Sequence, residues 1–238
     1  MGIKHTYKAL CLTCTVAFLA ASTAPAAIIS TSVTGDDQIN ILSSAPGDVT
    51  EEHLTGNANA SVDILRIFQE QSGLALSQPI DVDIDPSTFS LPRTFTGGGS
   101  WPPSPGVDGT VASGTRVDVF FFHLDEPSNE LGRVIGSVTF DVDILGVITD
   151  SDTLVTTHSL LGYPGTTYPL AAGNHGTLED TDDYITFTSL RTLEFKVSQL
   201  AAMDQFRVLT VVPAPPAVWL LGSGLIGLVG FRRKFKRA

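Results

Sequence analysis

Acidic residues are the commonest groups in this chain that could do chemistry. Asp81, Asp83 and Asp85 alternate with Ile80, Val82 and Ile84. Their spacing is that of the first ligands in a Ca²⁺ loop, but Pro86 stands where such a loop needs Gly, and Pro92 where it needs Glu. On a strand the three carboxylates would lie about 6.6 Å apart along one face, too far to close on a single ion. The expected reading is a solvated strand face. Glu179, Asp180, Asp182 and Asp183 form a denser group in a loop before a strand. Loop carboxylates can converge on Ca²⁺, which is the one cofactor the composition offers, and none is required. The competing reading is a solvated charged loop. Asp150 and Asp152 carry a weaker version of the same idea.

Other catalytic patterns are missing. There is no G-x-S-x-G elbow and no H-E-x-x-H. His123 lies among Phe120, Phe121, Phe122 and Leu124 and reads as a packed or strand-face residue. His158 and His175 read as loop histidines without metal-ligand spacing. A glycosidase needs only two suitably separated carboxylates, and among 25 acids nothing selects a pair. The expectation is that the chain is not an enzyme. Recognition remains open, because Trp101 in GGGSWPPSPG and the pair Tyr163 and Tyr168 in LLGYPGTTYP are aromatics in loops. Such residues either stack on glycans or cover the ends of a core.

Charge narrows the partners. All 25 acidic residues lie between Asp36 and Asp204; of the 14 basic ones, two precede residue 27 and five follow Phe231. Residues 27–211 therefore carry seven basic against 25 acidic groups, a formal balance of −18. That balance excludes nucleic acid and tight docking on anionic lipid.

The elements that must position these groups read as strands. Thr192 to Ser198 alternates, with Leu193, Phe195 and Val197 on one face. Gly136 to Ile144 alternates with Val138, Phe140, Val142 and Ile144 inward. Further strands are expected at Gln38–Leu42, Ser61–Phe68, Ile80–Asp85, Arg116–Leu124, Leu145–Thr149, Tyr184–Thr188 and Gln205–Val212. Gly- and Pro-rich turns separate them, and Phe95 to Gly114 is expected as a long surface loop. The one helical candidate is Ser198–Met203. The pattern predicts an all-β ectodomain over 27–211, an antiparallel β-sandwich or jelly roll. Its 185 residues suffice for one domain with a core.

Both ends are apolar. Lys4 and Lys8 precede the apolar stretch Ala9–Ala21, and Ala24-Pro25-Ala26 places small residues where a signal peptidase cuts. Residues 1–26 are expected to be a signal peptide cleaved after Ala26. Cys11 and Cys14 would leave with it, so the mature chain would have no disulfide. At the other end Val212 to Pro216 holds three prolines, which no helix can traverse. Ala217 to Phe231 has no charge and spans roughly 22 Å as a helix. That is short of the roughly 30 Å hydrocarbon core, but Trp219 suits one interface and Arg232, Arg233 and Lys234 can snorkel at the other. A single transmembrane helix over 217–231 with a cytoplasmic basic tail over 232–238 is expected.

This tail resembles the PEP-CTERM class of bacterial sorting signals, most closely its VPLPA-type variant. The resemblance rests on Val212, Pro213, Pro215, Trp219, Gly222, Ser223, Gly224, Gly227, Gly230, Arg232, Arg233 and Lys234. Ala214 and Pro216 depart from the variant's Leu and Ala. The resemblance implies recognition by an exosortase, a membrane-embedded transpeptidase-like enzyme, with processing near the Pro motif at 212–216. Gly114 to Gly165 is similar to uncharacterised ectodomains of the same sorting class, which implies no activity. The expected role is an exported, membrane-retained component of the cell envelope or exopolysaccharide matrix. The alternatives are a glycan-binding module and, behind it, a polysaccharide hydrolase.

Overall fold

The computed structural model describes residues 25–35, 37–49, 64–97, 108–124, 132–169, 176–178, 182–199 and 204–212. All of them fall within one unit, Thr23–Ala214. Among them the chain forms β1 (Ile28–Val33), β2 (Gln38–Ile41), β3 (Ile64–Ala75), β4 (Ile80–Val82), β5 (Arg93–Thr96), β6 (Gly109–Val111), β7 (Arg116–Leu124), β8 (Gly132–Phe140), β9 (Ile144–Ile148), α1 (Ser151–Leu161), β10 (Tyr184–Ser189), β11 (Thr192–Gln199) and β12 (Asp204–Val211). The fold is all-β, and its sheets are antiparallel except for the parallel pair β2 and β3.

One five-stranded sheet has the order β1-β8-β11-β10-β5, and a second has the order β2-β3-β7-β12-β9. They share one core. Leu65 and Ile67 of β3, Phe120, Phe122 and Leu124 of β7, and Phe206 and Val208 of β12 meet Val134, Val138, Phe140, Leu193, Phe195 and Val197 from the other sheet. Phe122 stacks on Phe206 at 4.2 Å and meets Phe195 edge-on at 6.1 Å. Each such ring removed from water contributes on the order of 2 kcal/mol.

The second sheet is covered on its other face too. Phe68, Val119, Phe121 and Leu209 pack against Leu154 and Leu161 of α1, Ile80 and Val82 of β4, and Tyr168. With both faces covered, β7 reads as a nearly unbroken buried run, RVDVFFFHL. β12 is buried along its length for the same reason.

The expected alternation holds in β11 and in β8, where Val138 and Phe140 point inward. The structure corrects several expectations. The alternating stretch Gly136–Ile144 is two strands, because the chain turns at Asp141–Asp143 before β9. β3 runs past Phe68 to Ala75, carried by register shifts at Gln69–Leu74. Ser198 and Gln199 end β11 and are not helical. The helix is elsewhere: α1 is capped by Asp150, which accepts the Thr153 N–H at 3.0 Å. Its inward positions are Ser151, Leu154, Thr157 and Leu161, so half of the buried stripe is hydroxyl-bearing and hydrophobic periodicity does not reveal it. β1, β5 and β6 were not expected either, and β5 and β6 occupy the two ends of the expected loop Phe95–Gly114.

Candidate functional site

A cluster of polar side chains lies between the second sheet and α1. Arg207, fully buried on β12, makes a fork to Glu70 on β3, with Nε–Oε2 at 2.5 Å and Nη2–Oε1 at 2.8 Å. Its Nη1 donates to Thr157 Oγ1 at 2.8 Å, and its guanidinium lies 5.1 Å from the Phe121 ring centroid. Nη2 also lies 3.1 Å from His158 Nδ1. Arginine has no acceptor, so the imidazole accepts. Burial, and then the Arg207 charge, hold His158 down at about 3, which keeps it neutral. The expected loop histidine is thus a helical residue stacked at 4.5 Å on Tyr168. Burial, and then the Glu70 charge, push the Tyr168 hydroxyl well above its ordinary range. Arg207 and Glu70 are buried and His158 is half-buried, and the contacts of the cluster position the chain around it.

What it positions is the turn after α1. Gly162 ends the helix with its N–H on His158 O at 2.9 Å, and a side chain there would strike Tyr168 Cε2 at 2.9 Å. Tyr168 Oη accepts the Tyr163 N–H at 2.9 Å. Gly165 takes φ +96°, open to glycine, and lets the chain turn back. Thr166 Oγ1 donates to Pro46 O, and Thr167 N–H to Gly47 O. The turn is therefore fastened to the segment that follows β2.

These contacts frame a groove of about 340 Å³ where β2 leaves β3. Tyr163, 44% exposed, forms one side, Ser43 and Ser44 another, and Ile67, Gln69 and Phe120 line it as well. Among the described residues no charged one lines it. The Gln69 Nε2 is buried and has no hydrogen-bond partner among the described residues. Tyr163, expected in a loop, lies in the turn after α1 and is exposed. Tyr168, of the same loop, is buried instead and caps the core. Trp101 lies outside the described residues.

The remaining candidates separate. Asp83 is not on a solvated face: it is buried, and its Oδ2 accepts the N–H groups of Thr149 at 2.6 Å and Asp150 at 2.8 Å. Burial outweighs these bonds and pushes its carboxyl up to about 6. Asp81 stays exposed, and Asp85 closes a local turn by accepting from Ser87. Asp150 is spent on the helix cap. Asp182 is exposed, 3.6 Å from Lys196 Nζ, whereas Asp183 is buried with Oδ1 on the Ser198 N–H and hydroxyl. Glu179 and Asp180 lie outside the described residues. Among the described residues no group of three or more His, Cys, Asp or Glu could hold a metal ion. His123 is buried and packed, with Nδ1 at 2.9 Å from Gln205 Nε2.

The chain ends meet the fold at defined points. Ala26 is buried in the shared core and donates its N–H to Asp118 at 2.6 Å; Ala27 N–H reaches Asp141 at 2.8 Å. A cut after Ala26 would take away this buried residue and its bond to Asp118, and would place the new amino group beside Asp141. Val212 directly follows β12. Ala24, Cys11, Cys14 and residues 213–238 lie outside the described residues; among the described ones no helix is long and apolar enough to cross a membrane.

Comparison with protein-family models, with curated proteins and with solved structures finds no match.

Proposed function

We propose that this chain is exported through the general secretory route, held in the membrane by residues 217–231, and processed by an exosortase. Its ectodomain, read as a β-sandwich of the jelly-roll kind, then serves as a structural or interaction component of the envelope or exopolysaccharide matrix. The observation that carries this reading is the order of Pro motif, uncharged segment and basic end from Val212 to Lys234. β12 ends at Val211, so a cut in the Pro motif leaves every described strand in place. The test is the mass of the chain in cells with and without an exosortase. A shorter product that depends on the enzyme and begins its loss at 212–216 supports the proposal. An unchanged mass in both, or a reporter fused after Ala238 that works only outside the cytoplasm, overturns it.

A second reading is a glycan-binding module on the same anchor. It is favoured by one observation, the uncharged groove that presents Tyr163 beside two serine hydroxyls.

A further inference from the structure

The Tyr163 groove has a ligand chemistry that can be stated more narrowly, and the statement rests on the glycan-binding reading. We propose that this groove takes one or two rings of a neutral glycan, with the Tyr163 ring as the stacking face and the Gln69 amide as a hydrogen-bond donor.

Four observations converge. The groove is about 340 Å³, at the small end of ligand sites, which suits a short saccharide rather than a folded partner. Its lining combines an exposed aromatic, the accessible apolar side chains of Ile41 and Leu42, and the hydroxyl-bearing Ser43 and Ser44. A sugar ring presents the same mixture, an apolar face rimmed by hydroxyls. Gln69 lines the groove, and its Nε2 is covered and without a partner among the described residues, an unfavourable state that a turn of the side chain toward a ligand oxygen would relieve. No described residue of the lining is charged, and residues 27–211 carry seven basic against 25 acidic groups, so a uronic-acid chain would be repelled. The same repulsion disfavours a second copy of this chain, although Ile41 and Ile29 at the neighbouring edge strands are exposed.

The site is also built to hold still. Tyr163 is tied through its N–H to Tyr168 Oη, and the turn is tied by Thr166 and Thr167 to Pro46 and Gly47. A stacking ring on a fixed backbone loses little freedom on binding.

The experiment uses the full chain in a detergent without a sugar head group. Calorimetry is run with cello-, laminari-, malto-, manno- and chito-hexasaccharides and with an oligouronate of equal length. The expected result is saturable binding of at least one neutral probe and none of the uronate. Tyr163→Ala should weaken it at least tenfold, Gln69→Leu about fivefold, and Tyr163→Phe less than twofold. Neutral binding that survives both Tyr163→Ala and Gln69→Leu overturns the groove assignment while leaving glycan binding in place elsewhere. No neutral binding by the native chain overturns the assignment and the glycan reading together. An oligomer seen in sedimentation that Tyr163→Ala dissociates would give the groove to a second copy and overturn the proposal.

Discussion

The two faces of the β3-β7-β12 sheet are made by the same residues' neighbours and are held by different physics. On the face toward the other sheet, β12 presents Phe206 and Val208 to rings from β7 and β11. On the opposite face it presents Arg207 and Leu209 beneath α1 and the 163–168 turn. The first face needs only apolar bulk of about the right volume. The second buries a full charge and is stable only while every donor of that charge has a partner. The inner face therefore tolerates exchange of like for like, whereas the outer face depends on individual atoms. Those atoms also set the position of Tyr163, so the strict face is the one that carries the candidate site.

The contrast is broken most directly at Glu70. Glu70→Gln preserves shape but leaves Arg207 buried with its charge uncompensated, and should cost about 3–5 kcal/mol in urea unfolding. Arg207→Met added to Glu70→Leu should recover most of that loss. If Glu70→Gln is neutral, the outer face is no more demanding than the inner one and the comparison fails.

Acid should sharpen it next. Asp83 has a carboxyl raised to about 6, so the native state takes up a proton at higher pH than the unfolded chain does. Between its ordinary value and about 6 the native state binds more protons, and stability from this group falls as pH rises through that window. Relative to Asp83→Asn, the native chain should gain on the order of 2 kcal/mol between pH 7 and pH 4. Parallel pH profiles for the two proteins would show that burial does not raise this carboxyl.

The inner face should be gentler. Phe206→Leu removes the 4.2 Å stack with Phe122 but leaves an apolar side chain in place. About 1–2 kcal/mol is expected, less than for the shape-preserving Glu70→Gln. A loss above that of Glu70→Gln would reverse the ranking of the two faces.

The smallest effect belongs to the surface. Asp182 is 81% exposed in its pair with Lys196, and Asp182→Asn should change stability by less than about 0.5 kcal/mol. Melting in Ca²⁺ and Mg²⁺ at equal ionic strength should shift equally. A Ca²⁺-specific rise that the substitution removes would make this loop a binding site.

The class of fold is legible in alternation alone, because a strand with one buried and one wet face must alternate, and Leu193, Phe195 and Val197 do. The sequence also marked Tyr163 as an aromatic in a turn rich in Gly and Pro. Tertiary structure alone decided the rest of the site. In Phe206-Arg207-Val208 the arginine occupies the position that alternation assigns to solvent, and only the placement of α1 makes that face an interior. α1 itself stayed hidden because Ser151 and Thr157 stand at its buried positions, satisfied by partners distant in sequence: Ser151 accepts from Gly176 N–H, and Thr157 accepts from Arg207. Asp83 reads as one of three equal acids, yet backbone N–H groups from Thr149 and Asp150 single it out. Gln69, Ser43 and Ser44 carry no local signal. They come together only where β2 ends and β3 continues, and sequence periodicity records the face a residue takes on its own element, not which distant element will cover it.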